Sequence, residues 1–238
     1  VVLIDGSAPI APQFAGLPPD TVVLVDGQFF LVRYADNDGF DFTLTASAAP
    51  PVVIVGNQLV AAGTNGNDHI YVYQAGENIY VKINGKVYGP FAAAGITSVV
   101  VFGLAGNDWI EAFASLKKPV EFHGDADHDT LHGSNQADQL FGEAGDDKLY
   151  GSNGNDTADG GAGVDRIWGD GGNDTLFGGT ENDSLYGGAG NDTASGNEGN
   201  DSVYGDAGND TLHGNEDFDK VYGGAGDDTA TGDDGNDT

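Results

Sequence analysis

The chain has no cysteine and no methionine, and only eight of its 238 residues are lysine or arginine. Without cysteine there is no disulfide framework, no thiolate metal site and no cysteine nucleophile. The eight basic residues face 38 acidic ones, for a formal charge of −30. Nucleic acid needs a basic surface, so it is excluded as a partner, and anionic membranes with it. The charge suits a polyvalent cation. No apolar run approaches the roughly 20 residues of a membrane helix, so membrane insertion is excluded as well. The histidines, His69, His123, His128, His132 and His213, show no zinc spacing. The H-E-x-x-H, G-x-S-x-G and P-loop motifs are also missing. Close acid pairs such as Asp146-Asp147 abound, but acids fill the whole C-terminal half and no pair stands out as catalytic. No enzyme is expected. The chain starts at Val1 without a leader and stops at Thr238 inside a repeat. It reads as a piece of a longer, processed polypeptide, so missing targeting signals say nothing about location.

What the chain does have is glycine, 40 residues of it, in register. From Gly124 the sequence divides into thirteen consecutive nonads, the last truncated, without insertion or deletion. Position 1 is Gly and position 6 is Asp in all thirteen, and position 8 is Leu, Ile, Val or Ala in the twelve complete ones. A disordered Gly/Asp/Asn tract has the same composition but no reason to hold three positions fixed. Positions 1 to 6 are turn chemistry, since Gly, Asn and Asp tolerate the left-handed region. Positions 7 to 9 read as a three-residue strand with one side chain inward. Two nonads then make one coil of turn, strand, turn, strand, and residues 18 apart stack.

The columns support that period. Position 9 of odd nonads runs His132, Tyr150, Trp168, Tyr186, Tyr204, Tyr222, whereas position 9 of even nonads mixes Phe141, Asp159, Phe177, Ser195, His213 and Thr231. The inward even column alternates Leu140, Ala158, Leu176, Ala194, Leu212, Ala230, so a 36-residue period lies on top.

These nonads resemble the RTX (repeats-in-toxin) family, whose signature is G-G-x-G-x-D-x-U-x with U a large apolar residue. The resemblance covers 115 of the 238 residues. It implies an all-β fold, a right-handed parallel β-roll with Ca²⁺ between stacked turns. The family's metal-binding aspartate falls on Asp129, Asp138, Asp147, Asp156, Asp165, Asp174, Asp183, Asp192, Asp201, Asp210, Asp219, Asp228 and Asp237, with turn carbonyls supplying the remaining ligands. Position 4 departs from Gly at Asp127, Gln136, Glu181 and Asp217. The first two nonads are therefore expected to be weak or vacant sites, as in an N-terminal cap, and coordination at Glu181 and Asp217 is expected to differ.

Calcium also follows from the energetics. One inward aliphatic per nine residues does not offset an ordering entropy of roughly 1–2 kcal/mol per residue. The roll holds 27 acids against Lys148, Arg166 and Lys220. Ca²⁺ takes six to eight oxygens in flexible geometry, where Mg²⁺ demands strict octahedra. Metal binding and folding would then be one event, silent in a low-calcium cytosol and triggered after export. Stacking thirteen turns in two columns leaves room for up to about eleven ions.

Upstream, two isolated nonads, Gly63–Tyr71 and Gly103–Glu111, put Asp68 and Asp108 at position 6 as further candidate ligands. Strand-like stretches surround them, and Asn84-Gly85 reads as a hairpin turn. Residues 63–123 are expected to be a β-solenoid lead-in with a hairpin insertion, joined to the roll by stacking of Trp109-Ile110, Val120 and Leu131. Residues 48–62, with paired prolines, read as a connector. Residues 1–47 resemble the closing strands of large bacterial β-helical surface proteins and adhesins, through Tyr34-Ala-Asp-Asn-Asp38-Gly39-Phe40-Asp41. Asp36, Asp38 and Asp41 there read more readily as a plain turn than as a calcium site.

Tyr150, Trp168, Tyr186, Tyr204 and Tyr222 share an outward face with Lys148, Arg166 and Lys220. They form either an interaction stripe for another copy or a polysaccharide, or a stack that stiffens a solvated sheet. The seven N-x-[ST] sequons are a by-product of the repeated N-D-T/S. The sequence thus reads as a calcium-binding, secreted, structural or adhesive segment of a larger bacterial surface protein. Its partners would be calcium and neighbouring segments or copies in a fibre. The alternative is a calcium-triggered folding and export module of an enzyme or toxin.

Overall fold

The structure is a computed structural model. It describes residues 51–235 and 237 and, within the first fifty residues, the backbone of four strands. These are Val2–Ile4, Thr21–Val25, Gln28–Tyr34 and Phe42–Thr45, paired in that order into one sheet. The first pair is parallel and the other two are antiparallel. The Tyr34–Asp41 motif beyond Tyr34, including Asp36, Asp38 and Asp41, lies outside the described residues.

The remainder is a parallel β-solenoid of two facing ten-stranded sheets. From Ser98–Ala105 on, successive strands alternate between them, so that each pairs with the one a full coil away. Ser184–Ala189, for example, lies between Arg166–Gly171 and Ser202–Ala207, in parallel register with both. Thr175–Thr180 lies likewise between Thr157–Ala162 and Thr193–Glu198 in the opposite sheet. Of the twelve strands from Thr130–His132 on, nine are six residues long rather than the three expected, running from position 7 through position 3 of the next nonad. The left-handed position 2, as at Asp170 (φ 68°) and Asp206 (φ 67°), bends the strand without ending it.

Within each strand the side chains alternate. Positions 7 and 9 face out, while position 8 and the following glycine face in. The core is the stack of position-8 residues, from Leu131 through Leu212, each fully buried. Leu–Ala alternation in one sheet faces Leu149, Ile167, Leu185 and Val203 in the other, so every coil holds at least one large aliphatic.

The two sheets end on antiparallel pairs at the same end of the solenoid. Val52–Val55 pairs with Gln58–Ala62 at the edge of one. His69–Ala75, Asn78–Ile83 and Lys86–Ala92 form a meander at the edge of the other. Asn84 (φ 48°) and Gly85 (φ 84°) make its second turn as a two-residue hairpin with both central residues left-handed. The stretch read as a connector, 48–62, therefore contains a hairpin: its Val/Leu/Ala content packs as sheet, with Leu59 and Ala61 fully buried. The junction also differs from expectation. Ile110 stacks on Leu131, but Val120 stacks on Val99 in the opposite sheet. The loop between Ala112 and Val120 crosses from one sheet to the other and buries Leu116. The nonads from Gly124 are thus interior coils, and the cap lies upstream.

Candidate metal centres

Every position-6 aspartate from Asp68 to Asp219 is at most 3 % exposed. Two ladders hold these carboxylates. In one, Oδ1 of each aspartate accepts the backbone N–H of the aspartate one coil earlier, at 2.7–2.8 Å through Asp108, Asp129, Asp147, Asp165, Asp183, Asp201 and Asp219. The other runs through Asp156, Asp174 and Asp192 at 2.8 Å and Asp210 at 2.9 Å. Asp228 and Asp237 continue the two series at 3.0 and 3.1 Å.

The second oxygen is different. Oδ2 of Asp108, Asp129, Asp147, Asp156, Asp165, Asp174, Asp183, Asp192, Asp201, Asp210 and Asp219 is buried and has no hydrogen-bond donor. It faces position 1 of its own turn. A Cβ on Gly142 would lie 2.5 Å from Asp147 Oδ2 and 2.6 Å from the Gly160 carbonyl oxygen of the next coil. Position 1 is therefore glycine because a carboxylate and a carbonyl converge on it, not because of its φ. Position 4 is glycine for both reasons: Gly163 sits at φ 134°, and a Cβ there would overlap the Gly145 carbonyl. Of the four position-4 residues that carry a side chain, Asp127, Glu181 and Asp217 sit at φ 75–77°, whereas Gln136 is not left-handed.

Burial raises the carboxyl pKa along both ladders, opposed by the amide bond to Oδ1 and in most cases reinforced by neighbouring carboxylates. It stands at about 8 for Asp129, Asp156 and Asp183, and about 7 for Asp108 and Asp165. For Asp138, Asp147, Asp174 and Asp201 it stands at about 6. Asp192, Asp210 and Asp219 are raised as well. An orphaned buried acceptor costs about 1–3 kcal/mol. Eleven of them would cost about 11–33 kcal/mol, as much as or more than the about 5–15 kcal/mol by which a whole domain is stable. Unpartnered hard oxygens beside backbone carbonyls are the donor set of Ca²⁺. Among the described residues no three His, Cys, Asp or Glu side chains converge as a metal cluster. Each ion would thus be held by carboxylates of stacked turns together with turn carbonyls, and it would supply positive charge to oxygens that have no other partner.

A family model of the RTX calcium-binding nonapeptide repeat matches four times, over residues 123–158, 150–185, 177–212 and 204–238. Residues 123–238 are RTX calcium-binding repeats. No curated protein matches the chain.

Two aspartates of the RTX ladders and their upstream extension differ from the rest: both carboxylate oxygens of Asp68 and of Asp138 have hydrogen-bond donors. Thr64 N–H donates to Asp68 Oδ2 at 2.6 Å and its hydroxyl at 3.0 Å. The Asn84 side-chain amide bonds Asp68 Oδ1. Ser134 N–H donates to Asp138 Oδ2 at 2.5 Å, and its hydroxyl reaches Oδ1 at 3.2 Å. Both are the first turns of their ladders, with no nonad turn stacked before them. In place of one, Asn84 serves Asp68 and Val120 N–H serves Asp138. Of the first two nonads expected to be weak, only the second is closed in this way, since Asp129 Oδ2 remains free.

Sequence reasoning missed Thr64, Ser134 and Asn84 as capping residues. Ser152 opens its nonad with the same Gly-Ser-Asn as Ser134, yet takes φ 79° and leaves Asp156 Oδ2 free. The signal lies in what precedes the turn in space.

The outward aromatic column is a continuous stack. Ring centroids from His132 through Tyr150, Trp168, Tyr186 and Tyr204 to Tyr222 are 4.3–5.6 Å apart and within 11° of parallel. Each ring covers its neighbour's face, which stiffens the sheet.

Proposed function

We propose that the chain is a calcium-dependent structural segment of a larger secreted surface protein, without catalytic activity of its own, folding when Ca²⁺ fills the RTX ladders outside the cell. The observation that carries this is the set of eleven buried aspartate oxygens without a donor among the described residues. A fold that buries them is stable where calcium is abundant and fails where it is scarce. An adhesive role, with copies or neighbouring segments assembling along the solenoid axis, is the extension of the same reading. RTX repeat proteins are generally secreted, which supports the location.

The test is a titration of Ca²⁺ into EGTA-treated protein, followed by far-UV circular dichroism and sedimentation, with Mg²⁺ in parallel. A cooperative gain of β-structure with Ca²⁺ alone supports the proposal, and a rise in mass at higher protein concentration supports assembly. Full β-structure in EGTA would sink it.

A further inference from the structure

We propose that the chain of calcium sites runs one rung beyond the RTX repeats. Asp108 holds an ion at the junction with the upstream segment, and the turn of Asp68 holds none. The inference rests on reading the RTX ladders as calcium sites.

Asp108 lies outside the matched residues, in a turn that reaches the roll through a coil of 21 residues instead of 18. The rung is nonetheless unchanged. Asp108 is 3 % exposed, and its Oδ1 accepts the Asp68 N–H at 2.7 Å. Its Oδ2 is buried without a donor. A Cβ on Gly103 would collide with that oxygen and lie 2.8 Å from the Gly124 carbonyl oxygen, the arrangement found around Gly142 inside the repeats.

The Asp68 turn has the same outline, with the Gly63 Cβ position 2.6 Å from Asp68 Oδ2 and 2.7 Å from the Gly103 carbonyl oxygen. The difference is at position 2. Thr64 and Ser134 alone among these turns are not left-handed there, and theirs are the amides that bond Oδ2 of their own aspartate. Leu104 is held at φ 85°, where a bulky residue is strained. Its N–H is committed to Asp125 Oδ2 at 3.1 Å, and Gly106 N–H to Asp127 Oδ2 at 3.0 Å. A leucine kept in that conformation leaves Asp108 Oδ2 facing Gly103 and the Gly124 carbonyl with no proton donor. An ion there would tie the aliphatic upstream segment to the RTX roll.

The experiment counts bound calcium by equilibrium dialysis on the whole chain and on Asp108→Asn, Asp68→Asn and Asp147→Asn. The expected result is one ion fewer for Asp108→Asn and for Asp147→Asn, and an unchanged count for Asp68→Asn. Loss in Asp147→Asn with no loss in Asp108→Asn overturns the junction site and leaves the ladder reading intact. No loss in either overturns the ladder reading itself. Hydrogen exchange on the unsubstituted chain guards against a variant that fails to fold. Exchange in turn 103–108 should slow when Ca²⁺ is added while turn 63–68 does not respond. Turn 103–108 already protected in chelator overturns the proposal.

Discussion

The Asp165 N–H donates to Asp183 Oδ1 at 2.8 Å, and the other oxygen of the same carboxylate has no donor at all. One oxygen stitches two coils together and the other waits for charge. Asp183→Asn keeps an acceptor for the Asp165 amide but removes the negative charge. The calcium concentration at half-folding should rise several-fold, with a shallower transition, as read by far-UV circular dichroism. An unchanged midpoint would mean that carbonyls alone hold the ion.

Protons should stand in for calcium. In the metal-free fold burial holds Asp129, Asp156 and Asp183 near pKa 8, against about 3.9 for an unfolded aspartate. The folded state therefore binds more protons between those values. The stability these groups contribute is full below about pH 4 and is lost as pH rises toward about 8. Chelated protein should gain β-structure on acidification, and calcium affinity should rise with pH because binding releases protons. Circular dichroism in EGTA across pH 5–8 checks the first expectation and proton release on calcium addition checks the second. Equal β-content across that range would contradict it.

Gly142→Ala sets a methyl against Asp147 Oδ2 and the Gly160 carbonyl. Overpacking of this kind costs about 1–3 kcal/mol, and here it also pushes aside a metal-facing oxygen. The calcium midpoint should rise more than for Gly66→Ala, where a Cβ meets nothing within 4 Å. Similar midpoints for the two variants would show that the close approach is relieved elsewhere.

Asn84→Gly keeps the left-handed turn and removes the cap on Asp68. Asp68 loses its side-chain amide donor, and the His69 N–H loses its 2.9 Å bond to Asn84 Oδ1. The loss should be about 1–3 kcal/mol, the cost of a buried group left unpaired. It should appear as faster hydrogen exchange in His69–Ala75, with the calcium count unchanged.

Leu185→Ala removes a fully buried side chain from the stack between Ile167 and Val203. Calcium-saturated protein should lose about 2–5 kcal/mol in chemical denaturation. A loss below that range would show that the ions, and not the aliphatic stack, hold the two sheets together.

The repeat was legible because its constraints are local and recur: Asp at position 6, Gly at position 1 and an aliphatic at position 8 each answer one contact, repeated per coil. Even the 36-residue alternation of Leu140 and Ala158 is visible in the column. The hairpin at Asn84-Gly85 was legible for the same reason, since two left-handed residues in a row need that pair. What was not legible depends on what is stacked before a turn. Ser134 and Ser152 share their local sequence, yet one closes its carboxylate and the other leaves it open. The connector reading of 48–62 failed because the prolines at its start mask a hairpin whose partner strand, Ser98–Ala105, lies 40 residues on.

Within the repeats each rung joins residues 18 apart, and each coil packs only on its two neighbours. Loop closure is thus the same small step every time, and the contact order of this part stays low however many coils are added. Growth of such an array is a zipper: a slow start at one place, then coil upon coil at a nearly constant rate. The aliphatic upstream segment, whose ladder end is already closed by Thr64 and Asn84, is where that start costs least. Refolding from denaturant into calcium should therefore show a lag that depends on the upstream segment and a propagation phase that depends on the ion.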